Sequence, residues 1–176
     1  MQVILIRHTS VAVPRGTCYG QTDVPVSDTF TDEAALTLQG LQPYLPVDAV
    51  FSSPLTRARK LAAYCGYPSP TVDDRLMEMN MGKWEMQLYD KIQDPCLQEW
   101  YKDYMHLPTP GGEAFPDLMA RVGAFLDELR TASHERVAIF AHGGVLIAAG
   151  LYAGLFDEQD AWDHLAPFGG IMTIEL

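Results

Sequence analysis

Two strand-length runs of wholly apolar residues, Val3-Ile4-Leu5-Ile6 and Val137-Ala138-Ile139-Phe140-Ala141, each stop on a histidine, at Arg7-His8-Thr9 and His142-Gly143-Gly144. Runs without polar alternation have to be covered on both faces, which is the condition of a parallel sheet held between two layers of helices. The C-terminal end of such a strand opens onto a loop where ligands bind, so two imidazoles are delivered to one edge of the sheet.

The segments between the two runs supply the covering layers. A strand is predicted over Gln2 to Ile6, followed by a loop to about Asp28 that Pro14, Gly16, Gly20 and Pro25 keep irregular. Helical spacing then runs from Thr31 towards Leu41, with Phe30 or Ala34, Leu38 and Leu41 on its apolar face, and Val47 to Phe51 reads as a second strand. Ser52-Ser53-Pro54 has the chemistry of a helix start, because serine caps free amides and proline is tolerated in the first turn. That helix carries Leu55, Ala58, Leu61 and Ala62 inward as far as Cys65-Gly66.

Further on, a short strand is expected within Thr71 to Arg75, a loop over Met77 to Met86, and helical insertion material from Gln87 to about residue 110. Leu118, Val122, Phe125, Leu126 and Leu129 give a long amphipathic helix after Phe115. A small-residue helix from Gly144 to Leu155 and a closing strand over Gly170 to Leu176 complete the alternation. The expected architecture is a three-layer α/β/α sandwich with a mostly parallel central sheet, built as one domain over residues 1–176.

Composition narrows the class of partner. A net charge of -11 disfavours nucleic acid and anionic membranes, and no apolar run is long enough for a membrane span or a signal-peptide core, so a cytoplasmic location is expected. Cys18, Cys65 and Cys96 are isolated, which argues for free thiols rather than disulfides or zinc. His106, His134 and His164 lack ligand spacing, so neither a metal nor another cofactor is called for. The few cations of the first sixty residues are Arg7, Arg15, Arg57, Arg59 and Lys60.

Arg7, His8, Arg57, Glu78 and His142 all sit at element ends or in loops, and together they make a cradle for a tetrahedral dianion. Arginine presents a planar fork of donors, and the helix start at Gly143-Gly144 attracts negative charge. One neutral imidazole can attack phosphorus if a backbone carbonyl holds its other nitrogen. A departing alkoxide then needs an acid, for which Glu78 is the candidate, set among Met77, Met79 and Met81 that favour its protonated form. Arg59 and Lys60 read as a solvated helix face, and core packing is the expected role for most of Trp84, Trp100, Tyr101 and Tyr104, with the wall of an aromatic substrate base as the alternative.

Five motifs, Ile6-Arg7-His8-Thr9, Phe51 to Ala58, Met77 to Glu85, Gly111-Gly112-Glu113 and Ala141-His142-Gly143-Gly144, resemble in order those of the histidine phosphatase, or phosphoglycerate-mutase-like, superfamily over nearly the whole chain. The resemblance implies His8 as the phosphorylated nucleophile, Arg7, Arg57 and His142 as the rest of the phosphate pocket, Gly143 as an amide donor and Glu78 as proton donor. Thr9 stands where the family has glycine, and Arg15 replaces or neighbours a usual asparagine; both are expected on the substrate side, with Gly20 and Gln21. Gly16 to Pro25 and Met81 to Met86 look most like alpha-ribazole phosphatases of cobalamin nucleotide-loop assembly. The expected activity is a metal-independent phosphomonoesterase acting on a small phosphorylated metabolite. A phosphoglycerate-type mutase, a broad-specificity phosphatase and a non-catalytic phospho-ligand binder are the alternatives, and the sequence leaves the oligomeric state open.

Overall fold

A computed structural model describes all 176 residues. Strand β1 (Gln2–Arg7) is followed by helix α1 (Phe30–Leu41), β2 (Ala49–Ser52), α2 (Thr56–Tyr64) and β3 (Thr71–Val72). Helices α3 (Cys96–Lys102) and α4 (Phe115–Arg130), strand β4 (Arg136–Ala141), helix α5 (Gly143–Tyr152) and strand β5 (Ile171–Glu175) complete the chain. The sheet order is β3-β2-β4-β1-β5, with only β5 antiparallel.

The two apolar runs are neighbours, β1 beside β4, and their alternate residues feed different cores. Val3, Leu5, Val137 and Ile139 pack with α4 and α5, while Ile4, Ile6, Ala138 and Phe140 pack with α1 and α2. Successive side chains of a strand point to opposite faces, so a run with no polar residue serves both layers. The α/β/α sandwich follows. Leu118, Val122, Phe125, Leu126 and Leu129 are all buried along α4, as their spacing predicts.

Two expectations need correction. The helix after Ser52-Ser53-Pro54 begins only at Thr56, and neither serine caps it. The cap comes from 33 residues away: Asp23 accepts from the Thr56 amide at 2.8 Å and from its hydroxyl at 2.6 Å. Both serines are fully buried, because they stand at the end of β2 next to β4, where the site needs them. The stretch from residue 87 to 110 contains a one-turn 3-10 helix (Tyr89–Lys91), the seven-residue α3 and turns rather than extended helix. Asp94-Pro95 and Pro108-Thr109-Pro110 interrupt it, and proline breaks helical hydrogen bonding.

Candidate active site

Register assembles the centre. Arg7 of β1 pairs with Ala141 of β4, so His8 and His142 leave the sheet side by side, with ring centroids 5.2 Å apart. Ser52 of β2 pairs with Phe140, which puts Ser53 against His142, its Oγ 2.7 Å from Nε2. His8 Nδ1 lies 2.6 Å from the carbonyl oxygen of Thr9. A carbonyl only accepts, so the proton is on Nδ1 and the lone pair is on Nε2. Nε2 makes no hydrogen bond and is not among the fully occluded atoms, which leaves it the reactive face of the ring.

Arg57 is fully buried, and its terminal nitrogens donate to the carbonyls of Thr22 at 2.9 Å and Gly20 at 2.7 Å. Arg7 donates to Ala166 O at 2.5 Å and stacks on Phe168, 4.3 Å from the ring centre. Arg57 therefore spends both of its tips on backbone and Arg7 one. Arg7 Nε, Arg57 Nε, His142 Nδ1 and Thr9 Oγ1 are buried with no partner in the protein. Buried donors are normally satisfied, so this group, gathered around His8, is built for an acceptor-rich ligand.

Burial and the two arginines, Arg57 before Arg7, hold His8 neutral down to about pH 3 against the Thr9 carbonyl. His142, fully buried, is likewise held well below the ordinary histidine range by burial first and then by Arg57 and His8. Since both folded values lie below 6.5, the unfolded chain takes up protons that the native state refuses. Their contribution to stability is complete above pH 6.5 and declines as pH falls. For His8, about 2 kcal/mol should be lost between pH 6.5 and 5. Urea unfolding across that interval should show the decline, and His8→Asn should flatten it; a slope unchanged in the variant would mean that His8 is not buried neutral.

Glu78 comes from the loop beyond β3. Its carboxylate is not sealed among methionines as expected: Oε1 accepts from the Met79 amide at 2.9 Å and Oε2 from the Gly144 amide at 3.2 Å. One of the two predicted helix-start amides is thus engaged by protein. A Cβ at Gly144 would collide with Glu78 Oε1, so glycine leaves room for the carboxylate to rest on that amide.

The substrate-side segments also meet. Gln21 and Thr22 donate backbone amides to Glu85 at 2.9 and 2.7 Å, and Gln21 Nε2 donates to Glu78 O at 3.0 Å, so Gln21 braces the loop of Glu78. Gly20 takes φ +32 where a side chain would strike Glu85 and the Met79 carbonyl. Arg15 is exposed in a shallow groove with Val13, Tyr19 and Phe168, and it is not part of the lining of the central cavity. Tyr19 and Phe168 both lie against His8, so this groove borders the centre. Arg59 and Lys60 are exposed, as expected of a wet face.

Sequence reasoning missed Arg121 of α4. It donates to the carbonyls of Arg75 at 2.8 Å, Met77 at 2.6 Å and Glu78 at 2.9 Å, and pairs with Glu113 at 2.8 and 3.0 Å. Glu113 in turn accepts from the Asn80 amide at 2.8 Å, so the Gly-Gly-Glu motif and one arginine clamp the Glu78 loop from both sides. The available signal was a cation among the helix's apolar positions, beside Leu118 and Val122.

A cavity of about 400 Å³ opens beside the centre, touched by Arg7, Gly20, Glu78, Gly143 and Gly144. His8, Arg57 and His142 lie beneath this lining, with His8 against Tyr19 (ring centroids 6.5 Å apart) and Arg57 over the same ring at 5.2 Å. Trp84 is core, with 1% exposure and a bond from Nε1 to Asp94 at 3.0 Å; Trp100 and Tyr104 face the cavity. The exposed Tyr101 does not.

The profile of the histidine phosphatase superfamily (branch 1) matches residues 3–175. A protein of Hydrogenobacter thermophilus named "Putative phosphoserine phosphatase 2" is 32% identical over 74% of this chain and 67% of its own length. A 2,3-bisphosphoglycerate-dependent phosphoglycerate mutase of Methylobacterium sp. is 32% identical over 72% of this chain and 65% of its own. Among solved structures, a "putative alpha-ribazole-5'-P phosphatase" from Escherichia coli K-12 superposes with a TM-score of 0.85 at 22% identity, covering 98% of this chain and 89% of that one.

Proposed function

The chain belongs to branch 1 of the histidine phosphatase superfamily and acts as a phosphatase, and we propose that it does so through a phosphohistidine on His8. The observation that carries this reading is the Nδ1 contact of His8 to the Thr9 carbonyl, which leaves a neutral, lone-pair-bearing Nε2 amid unpartnered guanidinium and imidazole nitrogens.

In the first step Nε2 attacks phosphorus and the P–O ester bond breaks, while the alkoxide leaves with a proton from Glu78. The imidazolium charge that develops is eased by the bond from Nδ1 to Thr9. In the second step Glu78, now a carboxylate, takes a proton from water as its oxygen attacks phosphorus and the P–N bond breaks. Neutral His8 and inorganic phosphate result. Arg7, Arg57, His142 and Gly143 stabilise the charge on the phosphoryl oxygens, and fixed donors need no reorganisation as that charge moves.

Within that chemistry, α-ribazole 5'-phosphate is the substrate we favour. The two segments that resemble alpha-ribazole phosphatases, Gly16 to Pro25 and Met81 to Met86, are joined through Glu85 at the cavity's edge. The similarity to the Escherichia coli structure supports the fold of this reading alone. Hydrolysis is preferred over mutase transfer because Arg7 is the one cation on the cavity wall, and a bisphosphate needs more. The free cysteines are in keeping with a cytoplasmic enzyme, and no helix is long and apolar enough to cross a membrane.

Phosphate release should be measured with α-ribazole 5'-phosphate, 3-phosphoglycerate, phosphoserine and para-nitrophenyl phosphate in excess EDTA, then with vanadate. No three His, Cys, Asp or Glu side chains are grouped to hold a metal, so the rate should survive the chelator and vanadate should inhibit. The highest kcat/KM is expected for α-ribazole 5'-phosphate. Loss of rate in EDTA restored by a divalent ion, or isomerisation of 3-phosphoglycerate faster than its hydrolysis, would reject the reading.

A further inference from the structure

The cavity beside the phosphate-binding centre draws most of its aromatic rings from three separate parts of the chain. Tyr89, Trp100 and Tyr104 come from the stretch after residue 87, Trp162 and Leu165 from the turn before β5, and Phe115 from the start of α4. The aromatic rings form a continuous chain: Trp100 to Tyr104 at 5.9 Å, Tyr104 to Trp162 at 5.8 Å and Trp162 to Phe115 at 6.0 Å between centroids. Trp162 further donates from Nε1 to Met105 Sδ at 3.3 Å, tying the turn to the end of the α3 region. The rings are therefore held in place by one another. Such edge-to-face and tilted contacts suit a planar apolar guest, which adds one more ring to the set.

Charge on the wall is equally informative. Its ionisable acid and base side chains are Arg7, already bonded to Ala166 and stacked on Phe168, and Glu78, whose two oxygens accept from the Met79 and Gly144 amides. A substrate with a carboxylate beside its phosphate ester would have to desolvate that anion against rings, with no lysine, histidine or second arginine lining the space. The named relatives include a phosphoserine phosphatase and a phosphoglycerate mutase, both names of carboxylate-bearing substrates. This cavity has opposite chemistry.

We propose that the aromatic cavity is the leaving-group site for neutral alcohols carrying a planar aromatic ring system, read chiefly by Trp100, Tyr104 and Trp162, and that it rejects anionic alcohols. The assignment rests on the phosphatase reading for its turnover assay, but not on any one substrate. A volume of about 400 Å³ lies within the ordinary range for small-molecule sites, roughly 300–1,000 Å³.

The test compares 2-(1-naphthyl)ethyl phosphate with ethyl phosphate and O-phosphoserine, using para-nitrophenyl phosphate to establish activity. Naphthylethanol and ethanol are alkoxides of similar basicity, so the ratio of their kcat/KM values reads contact with the ring rather than leaving ability. About a 50-fold preference for the naphthyl ester is expected from the apolar area buried, with O-phosphoserine no better than ethyl phosphate. In Trp162→Ala and Tyr104→Ala that ratio should fall towards one, and a ratio taken within one variant is unaffected by partial loss of folded enzyme. A wild-type ratio near one, or O-phosphoserine as the best ester, overturns the assignment while leaving the phosphatase intact. If para-nitrophenyl phosphate and every other ester are inert, the phosphatase reading falls instead. Calorimetry with 2-(1-naphthyl)ethyl phosphate then decides the site alone: saturable binding weakened by Trp162→Ala supports it, and no heat of binding overturns it.

Discussion

His8→Ala should reduce phosphate release by about four orders of magnitude or more, as expected when a covalent nucleophile is removed. Nothing nearby can substitute. His142, the neighbouring imidazole, is fully buried with Nε2 bonded to Ser53; in its role as a donor to the phosphoryl oxygens its free Nδ1 carries the proton and has no lone pair to attack phosphorus. The variant should remain folded, because His8 lies outside the paired strand and its backbone bonds to Ala141 and Gly169 do not depend on the side chain. Rapid quenching of wild-type enzyme with labelled substrate should trap acid-labile, base-stable phosphate on His8. Residual turnover within tenfold of wild type, in a variant of native circular dichroism, would remove His8 from the mechanism.

Glu78→Gln should divide substrates by their leaving groups. Alkyl phosphates need a proton on the departing oxygen, and their hydrolysis should slow by roughly 10²–10⁴-fold; para-nitrophenyl phosphate, which leaves unaided, should slow far less in its first step. The amide keeps the shape of the side chain but matches only one of its two backbone partners, since Met79 N and Gly144 N both donate. Thermal melting should therefore be recorded beside the kinetics. Equal slowing of both substrate types would mean that Glu78 only supports the loop. Glu113 would be a poor replacement acid, because Arg121 and the Asn80 amide occupy its oxygens, leaving His142 to be examined next.

Most of the centre was legible because its residues are tied to element ends. His8 and His142 could be placed from the two apolar runs alone: once both are central parallel strands, their C-terminal ends share an edge. Arg57 was harder, since Arg57, Arg59 and Lys60 look alike in sequence. Helical geometry turns Arg57 inward and leaves the other two in water. Arg15 could not be oriented from sequence: a cation in a glycine- and proline-rich loop has no periodicity, and only the fold sets it in the groove with Tyr19 and Phe168. Arg121 was passed over because its partners are backbone carbonyls, which carry no sequence mark.

The alternation of apolar runs with amphipathic segments settles, without coordinates, that this chain forms a two-faced, mostly parallel sheet with a histidine at the end of each of two strands. That information is local, because strand and helix periods are written into neighbouring residues. Long-range partnerships decide the rest. Only the folded chain shows that Asp23 caps a helix begun 33 residues later, that Thr9 holds the His8 proton and Ser53 holds His142, and that several distant segments close an aromatic cavity beside Arg7. Such contacts depend on where loops come to rest, and a loop's resting place is set by the groups it meets in space, which the residues beside it in the chain do not reveal.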